Sequence, residues 1–269
     1  MAQPSKQTRD SRSPDSFRVD ASWCSDKGAV RETNEDRATV VMPGDPAVLE
    51  EKGVLAVVAD GMGGHEGGEI ASGAVVEIVP EVYYGRGGPV QEVLVAAIEE
   101  ANGAVFGRAR SDRKLAGMGT TCTALVLQQG LAYAAHVGDS RIYLVRAGSA
   151  YRMTEDHSAT MQLVNRGLLT LAEASRHEDR NVILRAVGTQ EKLDVAVWRA
   201  PLPVRNGDVF VLCSDGLHDT LSDDEIATFC NGMESPPAAC DAMIAKALAR
   251  QCSDNVSVAV MRVTGEGLS

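Results

Sequence analysis

Apolar positions along the chain follow two periods, which divide it into strand-like and helix-like stretches. Val54–Ala59 is an unbroken apolar run that stops at Asp60. Such a run predicts a strand covered on both faces, with Asp60 at the point where the chain leaves the core. Five glycines follow within eight residues, enough bare backbone for a tight turn and a close approach to a ligand. Ile70, Ala74, Ile78 and Val82 then recur every four residues, the stripe of one helix face. Gly85-Arg-Gly-Gly-Pro89 interrupts it, and Val93, Leu94, Ala97, Ile98, Ala101 and Val105 mark a second long helix. From Gly119 the period changes to that of strands, at 120–128, 131–137, 141–145 and 150–153. Gln129-Gly130 and Ala147-Gly148 between them suit hairpin turns. Further strands are predicted at 17–24, 38–42, 195–198, 208–213 and 256–263, and helices at 222–230 and 236–250. Residues 157–180 read as helical, and capping boxes start at Thr170 and Ser222. Runs of strands with helices inserted in pairs predict packed sheets with helices outside, an α+β arrangement.

Composition narrows the class. The 269 residues contain no linker-like stretch in the middle, so a single domain over 17–265 is expected after a polar, flexible tail at 1–16. No apolar run approaches the roughly 18–20 residues needed to span a bilayer, and the tail lacks the apolar segment of a secretory signal. Six scattered cysteines form no C-x-x-C pair, which predicts reduced thiols in a cytoplasmic protein. A net charge of −11 argues against non-specific nucleic-acid binding.

Four aspartates share one context, a strand on one side and a small or polar turn residue on the other. They are Asp60-Gly61, Asp139-Ser140, Asp215-Gly216 and Asp254-Asn255, and Glu35-Asp36 add carboxylates between the first two strands. Any one could be a turn aspartate. Several converging at strand ends repel one another unless cations sit among them. Hard oxygen ligands without clustered Cys or His point to Mg²⁺ or Mn²⁺ rather than zinc.

These residues belong to eight short motifs in order: Arg31-x-x-Asn34-Glu35-Asp36, Asp60-Gly-Met-Gly-Gly-His65, Gly117-Met-Gly-Thr-Thr121, His136-Val-Gly-Asp-Ser-Arg141, Thr154-Glu-Asp-His157, Leu184-Arg-Ala-Val-Gly188, Cys213-Ser-Asp-Gly-Leu217 and Asp254-Asn255. In this the chain resembles the metal-dependent serine/threonine protein phosphatases of type 2C, in their compact bacterial form. The resemblance implies a central antiparallel β-sandwich flanked by helix pairs, four layers in the order α-β-β-α, with a metal cleft at one end. It implies that Asp60 bridges two Mn²⁺ or Mg²⁺ ions and that the Gly61 carbonyl binds one of them. Asp215 and Asp254 would complete the first ion's shell, Glu35 would support the second, and Asp36 would be a supporting carboxylate. Asp139, with Asp215, would hold a third ion described in bacterial relatives. Arg31 would grip the substrate phosphate, for which its guanidinium fork is suited. The implied reaction is hydrolysis of phosphoserine or phosphothreonine by a water activated between the metals, attacking phosphorus directly without a phosphoenzyme.

The residues set out one departure and several bland readings. Animal relatives carry a histidine two positions after the bridging aspartate, where this chain has Met62; His65 is the nearby candidate for proton donor or substrate contact. His136 is expected in the core, His157 as an orienting residue, His177 and His218 at the surface, and Arg141 in a structural ion pair. Residues 157–180 correspond to a variable flap beside the cleft. The implied partners are phosphoprotein substrates and an opposing Ser/Thr kinase, acting on a monomer that binds neither nucleic acid nor membrane. The rival classes are a pseudophosphatase binding module and a hydrolase of small phosphoesters.

Overall fold

The computed structural model describes residues 17–63 and 67–265. The expected tail at 1–16 and His65 lie outside them. The chain begins with β1 (Arg18–Asp26), β2 (Arg37–Val41), α1 (Pro46–Lys52), β3 (Val54–Ala59) and the two-residue β4 (Gly61–Met62). Two long helices follow, α2 (Gly67–Gly85) and α3 (Val90–Ser111), then β5 (Gly119–Thr120), β6 (Cys122–Gln128), β7 (Leu131–Val137), β8 (Arg141–Arg146) and β9 (Ser149–Arg152). The remainder is α4 (Ala159–Asn165), α5 (Leu171–Ala174), β10 (Ala196–Val197), β11 (Leu202–Pro203), β12 (Val209–Cys213), α6 (Asp215–His218), α7 (Asp223–Cys230), α8 (Pro236–Ala249) and β13 (Val256–Thr264).

Two large antiparallel sheets form, ordered β1-β13-β12-β8-β9 and β10-β7-β6-β3-β2, with β11 also paired to β7 and β4 paired to β5 in a small third sheet. Side-chain parity builds the layers. On β3, Leu55, Val57 and Ala59 point to α2 and α3, while Val54, Ala56 and Val58 point into the space between the sheets. On β13, Val256, Val258 and Val260 face α7 and α8, while Ala259, Met261 and Val263 meet the other sheet. A strand buried on both faces can therefore be apolar throughout. The result is the expected α+β sandwich, four layers in the order α-β-β-α.

The registers bring particular strand ends together. Arg37 opposes Ala59, Val58 opposes Thr123, and Cys122 opposes Val137, so the start of β2, the end of β3 and the end of β7 share one edge. In the other sheet Arg141 opposes Cys213, Cys213 opposes Val258, and Asp26 opposes Val256. The loops at 27–36 and 138–140 cross between the sheets at this same end. Every aspartate singled out in the sequence emerges here.

Both hairpin turns form as expected. Gln129 and Gly130 have φ of 48° and 78°, and Ala147 and Gly148 have 50° and 88°, the paired positive values of a tight two-residue turn. The flap departs from its expected helical character. Only α4 and α5 are helical, seven and four residues long. Gly167 in the left-handed region (φ 71°) ends the first turn of chain, and the Thr170–Glu173 capping box starts the second. The sequence pattern also overlooked α1, although Asp45 caps it through Ala47 N–H and Pro46 occupies its first turn.

Candidate active site

Asp60 leaves β3 with its backbone fixed on three sides. Its N–H donates to Thr121 Oγ1 (2.9 Å), and its carbonyl accepts from Thr121 N–H (2.8 Å) and Thr120 Oγ1 (2.8 Å). Thr121 Oγ1 also lies 2.7 Å from Ser140 Oγ, so the turns carrying Asp60 and Asp139 share one hydroxyl chain. Gly61 follows because nothing larger fits: a Cβ there would stand 2.3 Å from Gly68 O and 2.5 Å from Glu35 O. Gly68 packs as closely against the Glu35 carboxylate, 2.8 Å from where its Cβ would be.

Glu35 and Asp36 are anchored from the opposite sheet. Asn255, at the threshold of β13, accepts from Glu35 N–H (2.8 Å) and donates to Lys27 O (3.0 Å) and Thr33 O (2.8 Å). One amide thus holds the whole 27–35 loop. Asp36 is 1% exposed and accepts from Ser214 Oγ (2.6 Å). Asp215 starts α6 immediately after β12. Gly216 lets α6 lie against the 254–256 turn; a Cβ at Gly216 would come within 2.0 Å of Asn255 O.

The acidic groups lie in one electrostatic neighbourhood. Burial, followed by the charges of Asp36, Asp215, Asp139 and Asp254, raises the Asp60 carboxyl well above the usual carboxylate range. Asp215 is raised for the same reasons, burial first and then Asp139, Asp254 and Asp36. Burial pushes Asp36 up to about 6, against hydrogen bonds from Ser214 and Ser257. Burial and then Asp156 push Asp139 up to about 7. One oxygen on each of Asp36, Asp139 and Asp215 is buried without a hydrogen-bond partner. Among the described residues no three His, Cys, Asp or Glu side chains close into a ready ligand cluster. Mg²⁺ and Mn²⁺ need no such cluster, because a hard cation of this kind takes one or two carboxylates and keeps several waters. Orphaned carboxylate oxygens in a buried, all-oxygen set fit divalent cations of that class.

Arg31 faces these acids from the 27–36 loop, its side chain 51% exposed and its Nη2 2.7 Å from Asp254 Oδ2. The roles expected of the histidines are met at two positions and corrected at one. His136 is buried and bonded to Thr123 Oγ1 (2.9 Å) through Nδ1, and burial pushes its pKa down to about 3. His157 holds Gly138 twice, donating from its backbone N–H (2.8 Å) and accepting at Nδ1 (3.1 Å). His218, expected at the surface, has a side chain only 3% exposed. Its Nε2 lies 3.1 Å from the Asp139 carbonyl and its Nδ1 3.3 Å from Asp219 Oδ1. The four-residue α6 turns it inward, which the surrounding polar sequence conceals. Arg141 forms the expected ion pair, with Asp156, at 2.7 Å. Asn255, Thr121 and Ser214 were the positions whose work the sequence did not disclose; all three sit within the motifs, and that adjacency was their only signal.

The protein phosphatase 2C family model matches residues 32–251. The serine/threonine phosphatase stp of Listeria innocua is 31% identical over 243 residues, covering 88% of this chain and 93% of that protein. The serine/threonine protein phosphatase PstP of Mycobacterium tuberculosis is 36% identical over 242 residues, 89% of this chain and 44% of that longer protein. The solved catalytic domain of PstP in complex with two manganese ions superposes with a TM-score of 0.79 at 31% identity, covering 93% of this chain and all of that one (100%). With a family match over well more than half its length, on a sandwich whose acids meet at one end, the chain belongs to the protein phosphatase 2C family.

Proposed function

We propose that the protein hydrolyses phosphoserine and phosphothreonine in proteins, through one domain spanning 17–265 that holds Mn²⁺ or Mg²⁺ at the acidic end of the sandwich. The observation that carries this reading is the set of buried carboxylates with orphaned oxygens facing Arg31. Asp60 would contribute to two ions and the Gly61 carbonyl to one of them; Asp215 and Asp254 would complete the first, Glu35 would support the second, Asp139 with Asp215 would hold a third, and Asp36 would be a supporting carboxylate. When bound, such ions make water a nucleophile near neutral pH and offset the charge on phosphoryl oxygens. Thr120, Thr121 and Asn255 keep the acid-bearing turns in place. Arg31 binds the phosphate by exchanging Asp254 for substrate oxygens. His65 is the candidate proton donor to the leaving alkoxide. A Ser/Thr kinase would supply the substrates. Six free thiols and the absence, among the described residues, of a helix long and apolar enough to cross a membrane support a cytoplasmic setting.

The direct test is hydrolysis of a phosphothreonine peptide by metal-stripped protein during Mn²⁺ titration. Activity that rises with Mn²⁺ and vanishes with chelator is expected. Silence despite demonstrated metal binding would instead indicate a pseudophosphatase, and a large preference for sugar phosphates a small-ester hydrolase. Arg31→Ala should raise KM for the peptide about tenfold, the loss of roughly 1.4 kcal/mol of phosphate binding; an unchanged KM would remove Arg31 from that role.

Metal binding should also show in stability. Asp36 and Asp139 titrate at about 6 and about 7 in the metal-free fold, against roughly 3.9 for an unfolded aspartate. A raised native value means that the native state holds the proton more tightly. The stabilisation is therefore full below about pH 4 and is lost as pH rises through 6 and 7. His136, depressed by burial, works in the opposite direction between about pH 3 and 6.5, with or without metal. The Tm gain on adding Mn²⁺ to chelated protein cancels that contribution and should grow from pH 5 to pH 8. A gain independent of pH would contradict the assignment of these carboxylates to the metals.

A further inference from the structure

A cavity of about 440 Å³ opens beside the acidic site, between the flap and the β8–β9 hairpin. Asp139, Arg152, Asp156, Asp215 and Asp219 are among the side chains that line it. Arg180 and Asn181 of the flap stand at the rim, shared with a second, shallower pocket that runs out past Asp254.

Arg152 is packed beside a second arginine. Arg141 binds Asp156 through Nε (3.1 Å) and Nη2 (2.7 Å), and Arg152 Nη2 approaches the other Asp156 oxygen at 2.5 Å. Two guanidiniums therefore share one carboxylate in a place where all three side chains are at most 21% exposed. Arg152 Nη2 is buried and makes no hydrogen bond of its own. Burial, then the neighbouring Arg141, disfavour the charge on Arg152, which is the condition an additional anion would relieve. At the rim Arg180 is 49% exposed and its Nε stands 3.7 Å from Asp219 Oδ2, a loose pair that can exchange partners. The cavity volume is in the range of small-ligand pockets and accommodates one acidic side chain.

We infer that this cavity is a specificity subsite that takes a second, negatively charged residue of the substrate close in sequence to the phosphoresidue. The inference rests on the protein-phosphatase reading, since the two groups must belong to one peptide. An acidic side chain there makes charge-assisted hydrogen bonds to Arg152 that a neutral one does not.

The test compares a phosphothreonine peptide with uncharged flanks against versions carrying a single glutamate at each flanking position in turn, with Mn²⁺ present. At one or two positions the glutamate should raise kcat/KM about tenfold. Arg152→Gln should abolish that gain while cleaving the uncharged peptide at the wild-type rate, and Arg152→Lys should keep part of it. Should Arg152→Gln fail to fold, Arg180→Gln at the exposed rim should reduce the gain in its place. No gain at any position, or a gain that survives both Arg152→Gln and Arg180→Gln, overturns the proposal. If no peptide is cleaved at all, the phosphatase reading has failed instead. Calorimetry with the unphosphorylated glutamate peptide then decides the subsite alone, binding to the wild type and not to Arg152→Gln supporting it and equal binding overturning it.

Discussion

Asp60→Asn is expected to lower turnover of a phosphothreonine peptide by about a thousandfold or more, the scale on which removal of one central electrostatic group reduces catalysis. The substitution spares what holds the turn: the bonds from Thr120 and Thr121 all reach Asp60 backbone atoms. It removes a carboxylate whose ionisation the site resists, being buried and then opposed by four other aspartates. The metal-free variant should therefore melt higher than metal-free wild type at pH 8, while gaining less from Mn²⁺. Loss of activity together with rising metal-free stability would separate a functional carboxylate from a structural one. Near-normal turnover in a folded Asp60→Asn protein would contradict the bridging role.

Gly216→Ala carries the second large effect. The new methyl would lie 2.0 Å from the Asn255 carbonyl, a backbone atom that cannot move aside alone. Relief requires α6 and the 254–256 turn to separate, which parts Asp215 from Asp254 and shifts the amide that anchors the 27–35 loop. Overpacking of this kind costs about 1–3 kcal/mol. Activity should fall further than stability, by about a hundredfold, because a displacement near 1 Å is costly at a catalytic centre. Gly73 supplies the contrast. It lies within α2 with nothing inside 4 Å of its hypothetical Cβ, so Gly73→Ala should leave activity unchanged and stabilise the protein by roughly 0.5–1 kcal/mol. Equal behaviour of the two alanine variants, read by thermal melts and peptide hydrolysis, would refute the close-approach argument.

What the sequence disclosed follows from how local each cause is. The β3 run could be assigned because two-sided burial leaves an unbroken apolar mark, and the hairpins because positive φ at two successive residues selects few sequences. The acids could be found because a strand followed by Asp and a small residue is a short-range pattern. Other features depend on partners far away in the chain. Arg31 pairs with Asp254 across 223 positions, and Asn255 reaches Lys27 across 228. His218 is buried by Asp139 and the surrounding loops, not by its own neighbours in sequence. The flap read as helical and does carry a capping box at Thr170, yet Leu168 and Leu171 are 66% and 61% exposed. Packing did not claim these side chains, so a longer helix there had little to stabilise it. α1 was missed for a simpler reason: seven residues are too few for periodicity to register, and only its cap announced it.

The order of strands has a consequence for biosynthesis. Among the described residues β1, the strand nearest the N-terminus, pairs only with β13, and β13 lies between β1 and β12. Until residues 256–264 emerge, the N-terminal strand has no ladder to join and the sheet carrying Asp215 lacks its middle. Asp254 and Asn255 arrive only a few residues earlier. A nascent chain can assemble the β3–β6–β7 layer on α2 and α3, since those elements are contiguous, but it holds no complete catalytic end until β13 has been made. Such long-range closure slows folding, and it also means that a chain lacking β13 has no complete site.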